Sequence, residues 1–201
     1  MRRALLLAAL VAALVVPAAD AATIRRSVPA AGMSIALPTT WRTVDGRTAA
    51  SNAARTLAKE NPELAAILAQ ISTAHSVIKL FAFDPVGAKT FATNVNVVVS
   101  PLPSGVTIQQ YLAAARSEIA ALPGRVGRPV TWIQRVPAGR AVRTSVRVAL
   151  VRRGTRIVSD ISQWAFLRGN QSVVVSFTTT PAQRTRYLPL FVEAASSIRF
   201  A

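Results

Sequence analysis

The chain has 201 residues, 24 of them lysine or arginine against 8 aspartates and glutamates, for a formal net charge of +16, with no cysteine and one histidine. Without cysteine there is no disulfide and no acceptor for an amino-terminal lipid, and a single histidine excludes a metal centre built from several imidazoles. The length suits one domain with a sizeable buried core.

At the amino end, Arg2 and Arg3 precede an apolar run from Ala4 to Val16, and Ala19-Asp20-Ala21 has the small-x-small pattern that signal peptidase accepts. Residues 1–22 are therefore expected to be a cleavable export signal, cut after Ala21 or Ala22, and residues 23–201 a single domain. The apolar run falls short of the roughly 20 residues that span a bilayer as a helix. Removing the leader takes away Arg2, Arg3 and Asp20 and leaves a formal charge of +15. A charge of that size favours anionic partners, such as lipid head groups or acidic envelope polymers. Lys59, Lys79 and Lys89 are the only lysines, and the arginines are scattered without a dense basic run, so specific nucleic-acid binding is not expected.

Alternation from Met33 to Leu37 predicts a strand, closed by the turn Pro38-Thr39-Thr40-Trp41. A helix is expected over Ala49–Lys59. A second follows Asn61-Pro62-Glu63, with Leu64, Ile67, Leu68 and Ile71 on one face. Strands over Val77–Phe83 and Val95–Val99 flank the loop Asp84–Thr93. Thr107 and Gln110 form a capping-box pair ahead of a helix whose Leu112, Ala115, Ile119 and Leu122 share a face, and Pro123-Gly124 stops it. The period then switches to two. Four strands are expected, over Val130–Val136, Ala141–Val151, Arg156–Leu167 and Gln171–Thr178, with Arg153-Gly154 and Gly169-Asn170 as two-residue hairpin loops. Thr180, Pro181 and Gln183 read as the start of a last helix through Tyr187–Ile198, which Pro189 should kink or restart. This order predicts an α+β fold: an antiparallel β-sheet of about six to seven strands with helices packed on its faces, an α/β/α sandwich.

The Arg153-Gly154 hairpin sets a register. Arg152 faces Thr155, Arg147 faces Asp160, Ser145 faces Ser162 and Arg143 faces Trp164, so an ion pair and a cation–π contact lie side by side. Arg143, Ser145, Arg147, Asp160, Ser162 and Trp164 are thus the candidate ligand-binding patch, suited to an anionic head group. The alternative is that these pairs only fix the register. Trp41 and Trp132 are expected to be buried anchors. Asn94 and Asn96, pointing the same way from one strand, are weaker pocket candidates.

No catalytic constellation is legible. His75 lacks a nucleophile-elbow G-x-S-x-G motif, and a helix-end position explains it. Glu60 and Glu63 read as first-turn helix charges, and phosphate, dinucleotide and calcium loops are absent. No cofactor and no metal site are expected.

Several stretches resemble the PsbP-like fold: Met33-Ser34-Ile35-Ala36-Leu37-Pro38 with Trp41, Phe91 to Val97, Thr107 to Leu122, and Phe177-Thr178-Thr179-Thr180-Pro181 through Tyr187 and Phe191 to Ser197-Ile198-Arg199-Phe200. That group spans a photosystem II extrinsic subunit, a Ran-binding import factor, the periplasmic DcrB type and LpqN-type envelope proteins. The resemblance implies a non-enzymatic accessory or binding protein of the periplasm, cell envelope or extracellular space. Its partner would be a protein or an anionic or lipid-like envelope ligand, although the chain lacks the lipidation cysteine of the LpqN type. Two other readings stand beside it: a secreted serine-dependent hydrolase, and electrostatic adhesion to anionic surfaces that salt would abolish.

Overall fold

The computed structural model describes residues 22–44, 78–86, 91–152 and 155–201. The leader, the helices expected over 49–59 and 61–71, His75, Glu60, Glu63 and the Arg153-Gly154 loop lie outside these residues. The elements run β1 (Thr23–Val28), β2 (Met33–Pro38), β3 (Arg42–Val44), β4 (Ile78–Phe83), β5 (Asn94–Pro101), α1 (Ile108–Ala120), β6 (Arg125–Val136), β7 (Gly139–Arg152), β8 (Thr155–Arg168), β9 (Gln171–Thr179), α2 (Arg184–Ser196) and β10 (Arg199–Phe200).

Seven strands form one sheet in the order β3-β4-β5-β9-β8-β7-β6, with every neighbouring pair antiparallel. Strand count and polarity agree with expectation, but membership differs. The strand at Met33–Pro38 leaves the large sheet and pairs with β1 and β10 in a separate three-stranded sheet. Neither β1 nor β10 is announced by its sequence: β1 is largely exposed and carries two arginines, and β10 has two residues. Both are strands because β2 offers them a hydrogen-bonding edge.

Alternation along the large sheet divides its side chains between two layers. Trp164, Phe166, Val173, Val175, Phe177, Val95 and Val97 point to one face, where they meet Tyr187, Phe191, Ala194 and Ala195 of α2 and Met33, Ile35 and Leu37 of β2 in the main core. Rings organise this layer: Phe177 stacks on Phe191 at 4.8 Å between centroids, and Trp164 meets Phe177 edge-on at 5.6 Å. On the opposite face, α1 packs on β6 and β7. It presents Leu112, Ala115 and Ile119, all half-buried, and Arg116 donates to the Thr131 carbonyl from Nε and an Nη. The sheet is therefore covered on both sides, with a small sheet sharing one outer layer with a helix.

The capping box at α1 forms: Gln110 N donates to Thr107 Oγ1 at 3.2 Å, and Thr107 N donates to Gln110 Oε1 at 2.8 Å. The box expected at Thr180 does not. Thr180 makes no side-chain cap, a short 3₁₀ turn fills Pro181–Gln183, and Gln183 Oε1 accepts instead from Thr93 Oγ1 at 3.2 Å. Nor does Pro189 restart the helix. α2 runs unbroken from Arg184 to Ser196, three residues later than its expected start at Pro181. Pro189 and Thr185 are both exposed, so the Thr185 carbonyl that loses its i+4 donor can take water.

Candidate functional site

The β7–β8 pairing has the predicted register: Arg143 faces Trp164, Ser145 faces Ser162, Arg147 faces Asp160 and Arg152 faces Thr155. All six candidate residues therefore share one sheet face, beside the edge strand β6. The ion pair is bidentate, with Arg147 Nε donating to Asp160 Oδ1 at 2.7 Å and an Nη donating to Oδ2 at 2.9 Å. This contact, the hydrogen bond first and the carboxylate charge second, raises the Arg147 guanidinium above its ordinary range. Arg143 lies over the Trp164 ring at 4.5 Å from its centroid.

Three residues complete the site that the β7–β8 register does not reach. Trp132 on β6 faces Arg143 and gives it a second indole at 5.0 Å. Gln134 Oε1 accepts from both an Arg143 Nη and Trp164 Nε1, each at 3.2 Å, tying the guanidinium to the ring. Arg184, at the start of α2, brings an Nη to 3.8 Å from Asp160 Oδ2. Trp132 and Gln134 were within reach of the sequence, because Pro137-Ala138 closes a two-residue loop and counting back from the Val136–Gly139 pair puts Trp132 opposite Arg143. Arg184 comes from another layer, and no local signal announces it.

Burial sorts these side chains into a floor and a rim. Trp164, Ser162 and Asp160 are 0 %, 3 % and 4 % exposed and form the floor, where Asp160 holds Arg147 and Trp164 packs under Arg143. Arg147 and Arg184 keep 41 % and 35 % of their side chains exposed. The roles expected of two tryptophans are exchanged: Trp164 is the fully buried anchor and Trp132 is half-buried, because β8 is interior to the sheet and β6 is its edge. Trp41 is buried as expected.

The site holds three guanidinium groups and one carboxylate. Arg147 takes both oxygens of Asp160, Arg184 reaches one at long range, and Arg143 has no acid. Burial first, and the charge of Arg184 second, lower the Arg143 guanidinium below its ordinary range. Among the described residues, Arg143 Nε is the one buried side-chain nitrogen or oxygen without a hydrogen-bond partner. Such a cluster retains a positive field, and one of its donors, the buried Arg143 Nε, is unused.

The other candidates take local roles. Asn94 is buried and its Nδ2 donates to the Ala92 carbonyl in the adjoining loop at 2.9 Å, while Asn96 is half-buried. Among the described residues no three His, Asp or Glu side chains gather as metal ligands, and no helix is long and apolar enough to cross a membrane.

An antiparallel sheet with helices on both faces makes this an α+β protein, and its fold is PsbP-like. The solution structure of cyanobacterial PsbP (CyanoP) from Synechocystis sp. PCC 6803 superposes with a TM-score of 0.52 at 13 % identity, covering 92 % of this chain and 96 % of that one. LpqN, involved in cell envelope biogenesis of Mycobacterium tuberculosis, superposes with a TM-score of 0.53 at 10 % identity, covering 84 % and 83 %. No protein-family profile and no curated protein matches by sequence, so the likeness is one of fold.

Proposed function

We propose that the protein is an exported accessory protein of the cell envelope that binds an anionic ligand, such as a phosphate-bearing head group, at the rim formed by Arg143, Arg147 and Arg184. The observation that carries this reading is the charge imbalance: Arg147 holds Asp160 bidentately, Arg184 reaches the same carboxylate at 3.8 Å, and Arg143, which feels the charge of Arg184, has no acid of its own. Like charges brought together in partly desolvated surroundings repel, and an anion on the rim relieves that repulsion. Arg143 is pre-aligned by two indoles and Gln134, which lowers the entropy lost on binding.

Export is supported by the leader and by the start of the folded body. β1 begins at Thr23, and the Ala22 carbonyl accepts from Thr39 N at 2.8 Å. Cutting after Ala21 keeps that bond and cutting after Ala22 removes it, so the mature chain is expected to begin at Ala22. The fold it shares with LpqN, a protein of cell envelope biogenesis, is consistent with an envelope location.

The test is retention of the mature protein on phosphatidylglycerol vesicles at physiological salt, with phosphatidylcholine vesicles as the uncharged comparison. Arg143→Met and Arg184→Met are each expected to weaken retention about tenfold. Arg42→Met, on the opposite edge strand β3, should weaken it less than about twofold. Equal losses from all three would mean general electrostatic adhesion, and no loss from any would remove the site. Labelling of a serine by an activity-based fluorophosphonate would support the hydrolase reading instead.

A further inference from the structure

A second concavity has the opposite electrical character. A cleft of about 530 Å³ opens between β2 and α2, with Pro38, Trp41, Tyr187 and Leu190 among its walls and Asp84 and Glu193 on its lining. Its volume lies within the range of small-ligand pockets. Asp84 is 6 % exposed; its Oδ2 accepts from the Tyr187 hydroxyl at 2.6 Å and its Oδ1 from Val86 N at 2.8 Å. Among the described residues neither Asp84 nor Glu193 forms an ion pair, and the cation on the lining, Arg186, lies over the Tyr187 ring at 5.2 Å from its centroid.

A buried carboxylate loses its hydration, and two neutral donors replace only part of it. In a body of net charge +15 after leader removal, this cleft gathers two of the few acids against an apolar wall. We propose that it binds a small amphipathic amine, whose protonated head meets Asp84 and Glu193 while its apolar body lies along Trp41 and Leu190. An ammonium supplies the missing charge and also donates hydrogen bonds to the free lone pairs of the carboxylates. A carboxylate or phosphate head is repelled at the same place, although the rest of the surface attracts it. This site shares no residue with the arginine rim, takes the opposite charge, and does not rest on the function proposed above.

Calorimetric titration of the mature protein with decylamine, decanoate and decanol at neutral pH tests it. Decylamine is expected to bind at least about tenfold more tightly than decanoate, the reverse of the order that whole-molecule charge dictates. Asp84→Asn and Glu193→Gln should each reduce decylamine affinity several-fold and leave decanol unchanged. Glu193 is exposed, so its variant folds whatever Asp84 contributes to stability. Decanoate binding as well as decylamine, decanol matching decylamine, or amine binding unaffected in both variants would each overturn the proposal.

Discussion

Tyr187 illustrates how one buried hydroxyl joins packing to titration. Burial, and then its hydrogen bond to Asp84, push its phenol from 10.0 up to about 12. A phenol with a raised folded pKa contributes stability that is complete below the unfolded value and lost as pH climbs toward the folded one. Stability should therefore fall between about pH 10 and 12, and Tyr187→Phe should flatten that fall. Some slope will remain, since burial first and the Glu118 charge also raise Tyr111. At neutral pH the variant should lose about 1–3 kcal/mol, because the buried Asp84 carboxylate forfeits a donor. Urea midpoints at neutral and alkaline pH read both effects, and parallel alkaline loss in the two proteins would refute the assignment. In the arginine site, the Arg147–Asp160 and Arg143–Trp164 contacts were legible as residues because a two-residue loop fixes who faces whom. Which tryptophan is buried was not legible, since that depends on which strand lies at the sheet's edge.

Among the elements, the turn between α1 and β6 bears the sharpest constraint. Gly124 has φ +70°, its carbonyl accepts from Ala149 N at 2.7 Å, and a Cβ placed there would run into the Ala149 carbonyl oxygen. Gly127, in the β6 bulge, has φ +74° but open space around its missing Cβ. Gly127→Ala should cost about 1 kcal/mol, the conformational term alone. Gly124→Ala should cost about 2–4 kcal/mol, because strain and a backbone clash add. Thermal melts of the two variants make the comparison, and equal shifts would contradict it. The same scale explains the unequal outcome of the two caps. Thr107 and Gln110 lie in an exposed turn with no competing partner and bond each other as their spacing dictates. Gln183 lies beside Thr93, a long-range neighbour, and is drawn to it.

Across the whole molecule, the three-stranded sheet fastens Thr23–Val28 and Arg199–Phe200 to the core through β2. β10 pairs with β2, Phe200 meets Phe166 edge-on at 5.3 Å, and Ala201 N donates to the Gly32 carbonyl at 2.9 Å. Deleting residues 199–201 should lower stability by about 2–4 kcal/mol, from the lost ring and the unpaired β2 edge. Melting combined with size-exclusion chromatography checks this; an unchanged melt would show that β10 carries no weight, and added oligomers are expected as the opened edge seeks a strand.

The α+β class, the antiparallel meander from β6 to β9, the capped helix α1 and the β7–β8 register follow from the sequence alone. Each rests on contacts a few residues apart or on hairpins whose loops count the pairs. The transfer of β2 into a second sheet, the recruitment of Arg184 to the arginine rim and the cleft beside Asp84 were decided only by tertiary structure. They depend on surfaces contributed by residues far apart in the chain, such as Ala36 and Ser197, 161 positions from each other, and long-range packing of that kind leaves no periodic trace in either partner.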